Sequence, residues 1–168
     1  MGLFDMFKGD SGEVMTPPLA LAISMLYMIG ADGEIANEEI GQLLMVLGGD
    51  DKGGVIGVGG NNQKLLERAM KYWKSKSVEN FFSEAAPVLG DAQRICILTN
   101  LCDSLLSDGH AAPAEQMMFQ KFLAAFDVSE ERFKPFFEVI ATKNDRSVFS
   151  KKDHPKNRAG FKVSLSKN

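Results

Sequence analysis

Oxygen-bearing side chains recur in this sequence as a spaced pair of turns. Ala31-Asp-Gly-Glu-Ile-Ala-Asn-Glu-Glu39 returns 76 positions later as Ser107-Asp-Gly-His-Ala-Ala-Pro-Ala-Glu115. Asp32 corresponds to Asp108, Gly33 to Gly109 and Glu39 to Glu115; downstream, Leu43 corresponds to Phe119 and Leu47 to Leu123. Carboxylate oxygens suit hard divalent cations such as calcium and magnesium. The candidate metal ligands are Asp32, Glu34 and Glu39 in the first copy and Asp103, Asp108 and Glu115 in the second. His110 stands where the first copy has Glu34. As an additional ligand it would widen the choice of metal toward zinc or manganese. Clustered acids repel one another, and a bound cation is one way to relieve that repulsion.

The same residues also have a purely structural use. Glycine supplies the left-handed backbone that closes a helix. Aspartate supplies the turn's hydrogen bonds, and an early acid caps the next helix and offsets its dipole. Both readings are open on the sequence alone. A standard EF-hand is not among them. With Gly33 at the loop's sixth position, Asp32, Ile35 and Glu39 fall where that loop wants them, but Met28 and Gly30 occupy its first and third positions, and Ser104 and Leu106 do so in the second copy. Any cation would therefore draw ligands from across the repeat.

Other chemistry finds few residues to carry it. The two histidines are His110 and His154, and the second lies in a basic tail. There is no Gly-x-Ser-x-Gly elbow and no dinucleotide fingerprint. The glycine-rich stretch 48–60 lacks the Gly-Lys-Ser/Thr of a phosphate loop. A non-enzymatic protein is expected. Cys96 and Cys102 are six apart in an apolar helical stretch, which puts them on different faces, so no disulfide between them is expected. With no signal-peptide pattern at Met1–Lys8, the expected compartment is the cytoplasm.

These residues must be positioned by helices, because no stretch alternates with the two-residue period of a strand. Leu19–Gly30 is apolar on nearly every side and reads as a buried helix, with Pro18 at its first turn. A second helix follows from Asn37 as cap to Leu47, and a third from Asn61 or Asn62 to about Lys74. Ser77 opens a fourth, Asp91 caps the longest one to Leu106, Ala112 or Pro113 starts a sixth and Ser129 caps a seventh. The expectation is an all-α protein of about seven helices. Its domain organisation reads as an N-terminal segment 1–17, a helical domain 18–142 containing the glycine-rich loop 48–60, and a basic tail 143–168 of loose structure.

The chain has 168 residues, 45% hydrophobic and 24% charged, which suits one soluble domain able to bury a core. From Lys143 onward eight Lys/Arg face two Asp, a net +6, so the rest of the chain carries −9 of the total −3. An acidic body gives no electrostatic case for nucleic acid. It fits a basic protein partner, so a metal-free interaction module with an acidic recognition face is the alternative to a cation site. The amphipathic Met1–Phe7 and the basic tail are the segments that suit a membrane surface. The methionines and the aromatics Tyr72, Trp73, Phe133, Phe136 and Phe137 read mainly as core, with the seventh helix able to present an apolar patch.

Three phrases carry a family resemblance. Gly30-Ala-Asp-Gly-Glu-Ile-Ala-Asn-Glu-Glu39, Val78-Glu-Asn-Phe-Phe-Ser-Glu-Ala85, and Asp103-Ser-Leu-Leu-Ser-Asp-Gly109 with Glu115 resemble the TerB family, over roughly residues 15–142. That family includes tellurite-resistance proteins and the TerB-like part of the co-chaperone DjlA. The resemblance implies a bacterial seven-helix fold of two pseudo-symmetric halves and an acidic cluster for a divalent metal. It further implies a stress-response role of tellurite-resistance type, as an adaptor in a complex peripheral to the inner membrane. The sequence departs from the pattern in the glycine-rich insert, the basic tail and His110, and it has Tyr27 where the second copy has Asp103.

Overall fold

The computed structural model describes residues 14–47, 62–107 and 111–161. Met1–Phe7, the glycine-rich loop, Asp108, Gly109 and His110 lie outside the described residues. The described residues are all-helical, with eight α-helices and no strand.

The first helix, α1 (Pro17–Ile29), sets the architecture. Thr16 Oγ1 accepts the Leu19 N–H at 3.4 Å, and Pro17 and Pro18 occupy the first turn, where no backbone donor is needed. All residues from Leu19 to Ile29 are buried, so this helix has no solvent face. The buried Ser24 hydroxyl donates to the Ala20 carbonyl of its own helix at 2.6 Å. The helices α2 (Asn37–Leu47), α3 (Asn62–Ser75), α4 (Val78–Ala85), α5 (Asp91–Leu106) and α6 (Pro113–Ala125) all pack against it. The helix α7 (Glu130–Asn144) packs on α5 instead, and a single turn, α8 (Ser147–Ser150), follows it.

Around α1 the aromatic core is continuous. Phe81 of α4 meets Tyr27 at 5.5 Å, Tyr72 at 6.1 Å and Phe122 at 6.1 Å between ring centres. Phe82 stands edge-on to Phe122 at 4.9 Å. Arg94 joins three chain segments by giving hydrogen bonds to the carbonyls of Ala86, Leu89 and Phe126 at 2.6, 3.2 and 3.0 Å.

Most helix starts fall where the sequence puts them. Ser77 and Ser129 each accept an N–H three residues on, both at 3.2 Å. Two caps differ. Asn37 is the first residue of α2 rather than its cap, and the Ala36 N–H is held by Glu39. Asp91 is likewise inside α5; Gly90 is the cap, and its N–H goes to Gln93 Oε1 at 2.8 Å. In both cases the side chain three residues into the helix supplies the cap, leaving the preceding residue free to be small. Pro135 inside α7 has no N–H to give to the carbonyl of Glu131. The tail is helical in part. Besides α8 it has a 3-10 turn at Pro155–Asn157.

At the end of α1 the chain needs glycine for two different reasons. Gly33 has φ +97°, and an added Cβ at Gly30 would lie 2.7 Å from Trp73 Cζ2 and 3.2 Å from Ile35 Cγ1. Gly30→Ala is therefore expected to destabilise by about 1–3 kcal/mol through overpacking against the indole. Gly33→Ala is expected to cost about 1 kcal/mol through backbone strain alone. Chemical denaturation of both variants measures this, and an unchanged midpoint for Gly30→Ala would contradict the close packing.

Candidate functional site

The described parts of the two acidic segments share one device, a glutamate cap. In the first, Asp32 Oδ1 accepts the Glu34 N–H at 3.1 Å, a local turn, and the Glu34 residue is exposed. Glu39 Oε2 accepts the Ala36 N–H at 2.7 Å. In the second, Glu115 Oε2 accepts the Ala112 N–H at 2.9 Å. The paired glutamates thus do the same work at the same helical position, returning to the backbone donor ahead of their own helix. Asp108 and His110, which complete the second turn in sequence, are outside the described residues.

Asp103 is placed differently from the other predicted ligands. Its carboxylate accepts Lys143 Nζ at 2.6 Å and Asn144 Nδ2 at 2.7 Å, which ties α5 to the C-terminal end of α7. Partial burial raises its pKa, but those two hydrogen bonds and the Lys143 charge outweigh it and hold the carboxyl below its ordinary range. Its neighbour Cys102 is buried, and burial followed by the Asp103 charge pushes that thiol up to about 11. Cys96 is exposed, and both cysteines are free.

The repeat gives Asp103 a counterpart in Tyr27, 76 positions earlier. Tyr27 Oη donates to the Lys76 carbonyl at 2.9 Å, which ties α1 to the C-terminal end of α3. Burial, then the nearby Glu79 and Glu84 charges, push its hydroxyl up to about 12. Each half therefore uses this position to fasten its first helix to its third.

Among the described residues, no three His, Cys, Asp or Glu side chains come together in a group that could hold a metal ion. Glu39 and Glu115 are engaged as caps, Asp32 in its own turn and Asp103 with α7.

What the second half does form is a groove. The helices α6 and α7 both lean on α5, and between them lies a cavity of about 710 Å³. Its apolar lining is Leu105, Leu106, Phe119, Leu123, Phe133 and Phe137. Glu130, Glu131, Lys134, Gln116 and Gln120 stand among its polar residues. On α7 the rings of Phe136 and Phe137 and the side chain of Val139 remain substantially exposed. The first half has a smaller counterpart of about 510 Å³ between α2 and α3, lined by Ile40, Leu66 and Met70 together with Gln63, Glu67, Lys71 and Lys74. The sequence marked the α7 patch but not the groove, whose existence depends on how far two helices diverge.

The tail carries a polar knot that the sequence did not mark. Asp145 accepts the Ser147 hydroxyl on Oδ1 and Lys156 Nζ on Oδ2 at 2.9 Å, and His154 Nε2 lies 3.5 Å from the same Oδ2. Asn157 Nδ2 donates to the Val148 carbonyl at 2.7 Å.

Comparison with known proteins gives no match to a protein family, to a curated protein or to a solved structure. No helix among the described residues is long and apolar enough to cross a membrane.

Two outcomes follow from these contacts. Glu39→Ala and Glu115→Ala should each cost about 0.5–1 kcal/mol in thermal unfolding, while Glu→Gln at either position should cost much less, since glutamine can return the same cap. Asp145 has a carboxyl lowered to about 2, chiefly by the Ser147 and then the Lys156 hydrogen bonds. An unfolded aspartate titrates near about 3.9. A lowered folded value means that its contribution is fully present above that range and is lost as pH falls toward 2. NMR titration of the Asp145 carboxyl should show this, and a midpoint near that of a free aspartate would contradict the knot.

Proposed function

We propose that this chain is a non-enzymatic, TerB-like helical adaptor, and that its working surface is the α5–α6–α7 groove, which takes an amphipathic helix with basic flanks. The observation that carries this reading is the apolar lining of that groove, left open beside the exposed rings of Phe136 and Phe137. A cleft of this size accepts a few apolar side chains of a partner helix. Glu130 and Glu131 at the groove, within a body that carries −9 before Lys143, favour a positively charged partner. The resemblance to the TerB family supports an adaptor role in a bacterial stress-response assembly of tellurite-resistance type.

The divalent-cation reading would use Asp32, Glu34, Glu39, Asp103, Asp108 and Glu115, with His110 as an additional ligand. It would require Glu39 and Glu115 to leave their caps and Asp103 to release Lys143. The engaged state of Glu39, Glu115 and Asp103 supports the metal-free module over the cation site.

A fluorescent Leu/Lys amphipathic helical peptide is the probe. Saturable binding that weakens steeply with salt, falls at least about tenfold in Phe137→Asp and is untouched by chelator is expected. Absence of binding, or equal binding by Phe137→Asp, would overturn the groove. Calorimetric heat with calcium, magnesium, manganese or zinc that disappears in Asp32→Asn with Asp108→Asn would restore the cation reading.

A further inference from the structure

Phe149 is 95% exposed, the most exposed large apolar side chain among the described residues. It sits on α8, a single helical turn in which the Phe149 N–H donates to the Arg146 carbonyl at 3.2 Å and the Lys151 N–H to the Ser147 carbonyl at 2.9 Å. The three-residue spacing sets Arg146 and Phe149 on one face of the turn. Lys151 and Lys152 follow directly, and Arg158 returns after the 3-10 turn; all four cations are exposed. None of them forms an ion pair with a described residue, whereas Lys156 is spent on Asp145. Asp153 is the one exposed acid in the same stretch.

This exposure is built in rather than incidental. Asp145 holds Ser147 at one end and Lys156 at the other, and Asn157 holds the Val148 carbonyl. Val148 is half-buried, whereas Phe149, next in the chain, is exposed. Transfer of this exposed phenyl ring from water into an apolar medium lowers the free energy.

We propose that the hairpin 145–158 is a docking site for an anionic phospholipid surface, with Phe149 entering the acyl boundary while Arg146, Lys151, Lys152 and Arg158 meet the headgroups. Charge complementarity points to an anionic surface, and the isolated ring points to a membrane. Reversible membrane attachment takes one apolar insertion together with a basic patch, which is what the hairpin offers. A single-stranded nucleic acid is the poorer fit. It needs successive aromatic platforms along a basic groove, and Phe149 is the single phenyl ring within 145–158, on a chain whose body carries −9. A lipid surface touches only the hairpin and leaves the acidic body in water. The proposal does not rest on the groove described above.

The test is co-sedimentation of the full chain with phosphatidylglycerol/phosphatidylcholine vesicles, with phosphatidylcholine vesicles as control. Binding to the anionic vesicles alone is expected. It should weaken about tenfold in Phe149→Ala and about fivefold for each charge removed in Lys151→Gln with Lys152→Gln. Circular dichroism confirms that these surface variants keep native helicity. Failure of the native chain to sediment with anionic vesicles would overturn the proposal. So would unchanged binding by Phe149→Ala, or tighter binding to a single-stranded oligonucleotide than to the vesicles.

Discussion

A helix without a polar face must be enclosed, and the rest of this molecule follows from enclosing α1. Its residues from Leu19 to Ile29 are buried without a break. A single helix can shield only one side of such a cylinder, so α2, α3, α4, α5 and α6 are all drawn to it. The enclosure also dictates where the chain may turn. Gly30 must be bare because Trp73 of α3 closes over the end of α1. Ser24 inside the sheath is tolerated because its hydroxyl bonds back to its own helix. A surface that α1 does not need, such as the outer side of α7, is then free to stay apolar and exposed.

The repeat shows one mechanical problem solved with two chemistries. Each half has a first helix, a second helix capped by a glutamate three residues in, and a third helix that must be fastened back to the first. Tyr27 fastens α1 to the Lys76 carbonyl with a neutral hydroxyl inside the core. Asp103 fastens α5 to Lys143 and Asn144 with a half-exposed carboxylate. The difference follows from burial. Next to α1 a carboxylate would have to be desolvated, and a phenol costs far less there. At the edge of α5, with water on one side, a charged pair is affordable, though it contributes little beyond geometry. An acid at one copy and a tyrosine at the other is therefore no argument that one site lost a metal ligand. The glutamates at 39 and 115 show the opposite case, where the same residue is kept because the same backbone donor must be satisfied.

The sequence made the fold largely legible because its cues are local. Serines at 77 and 129, prolines at 17, 18 and 113, and the unbroken apolar run of α1 each act within one or two turns of themselves. The exceptions are also local, but the choice lies between neighbours: Asn37 and Asp91 look like caps, yet Glu39 and Gln93 do that work from inside the helix. What could not be read is long-range. Nothing near Arg94 signals that it will reach the Phe126 carbonyl, and nothing in Lys143 or Lys156 distinguishes one bound to an aspartate from one left in water. The acids of the repeated turns were legible as residues but not in their engagement, since a capping carboxylate and a metal-binding one have the same sequence spacing.

The sign of the chain's charge changes at the end of α7, and the contacts there explain how the two signs coexist in one short molecule. On the body side Lys143 is bound by Asp103; two residues later Asp145 binds Lys156 of the tail. Asp103 of the body neutralises Lys143 at the junction, and Asp145 neutralises Lys156 within the tail itself. Without these pairs, the basic tail would gain most by collapsing onto the nearest exposed acids of the body. With them, the hairpin is closed upon itself, and its remaining cations are held outward together with Phe149. The acidic body and the cationic tip thus remain separate surfaces. Salt screens interactions between exposed charges beyond about 8 Å at physiological ionic strength. Each surface can then meet its own partner without cancelling the other.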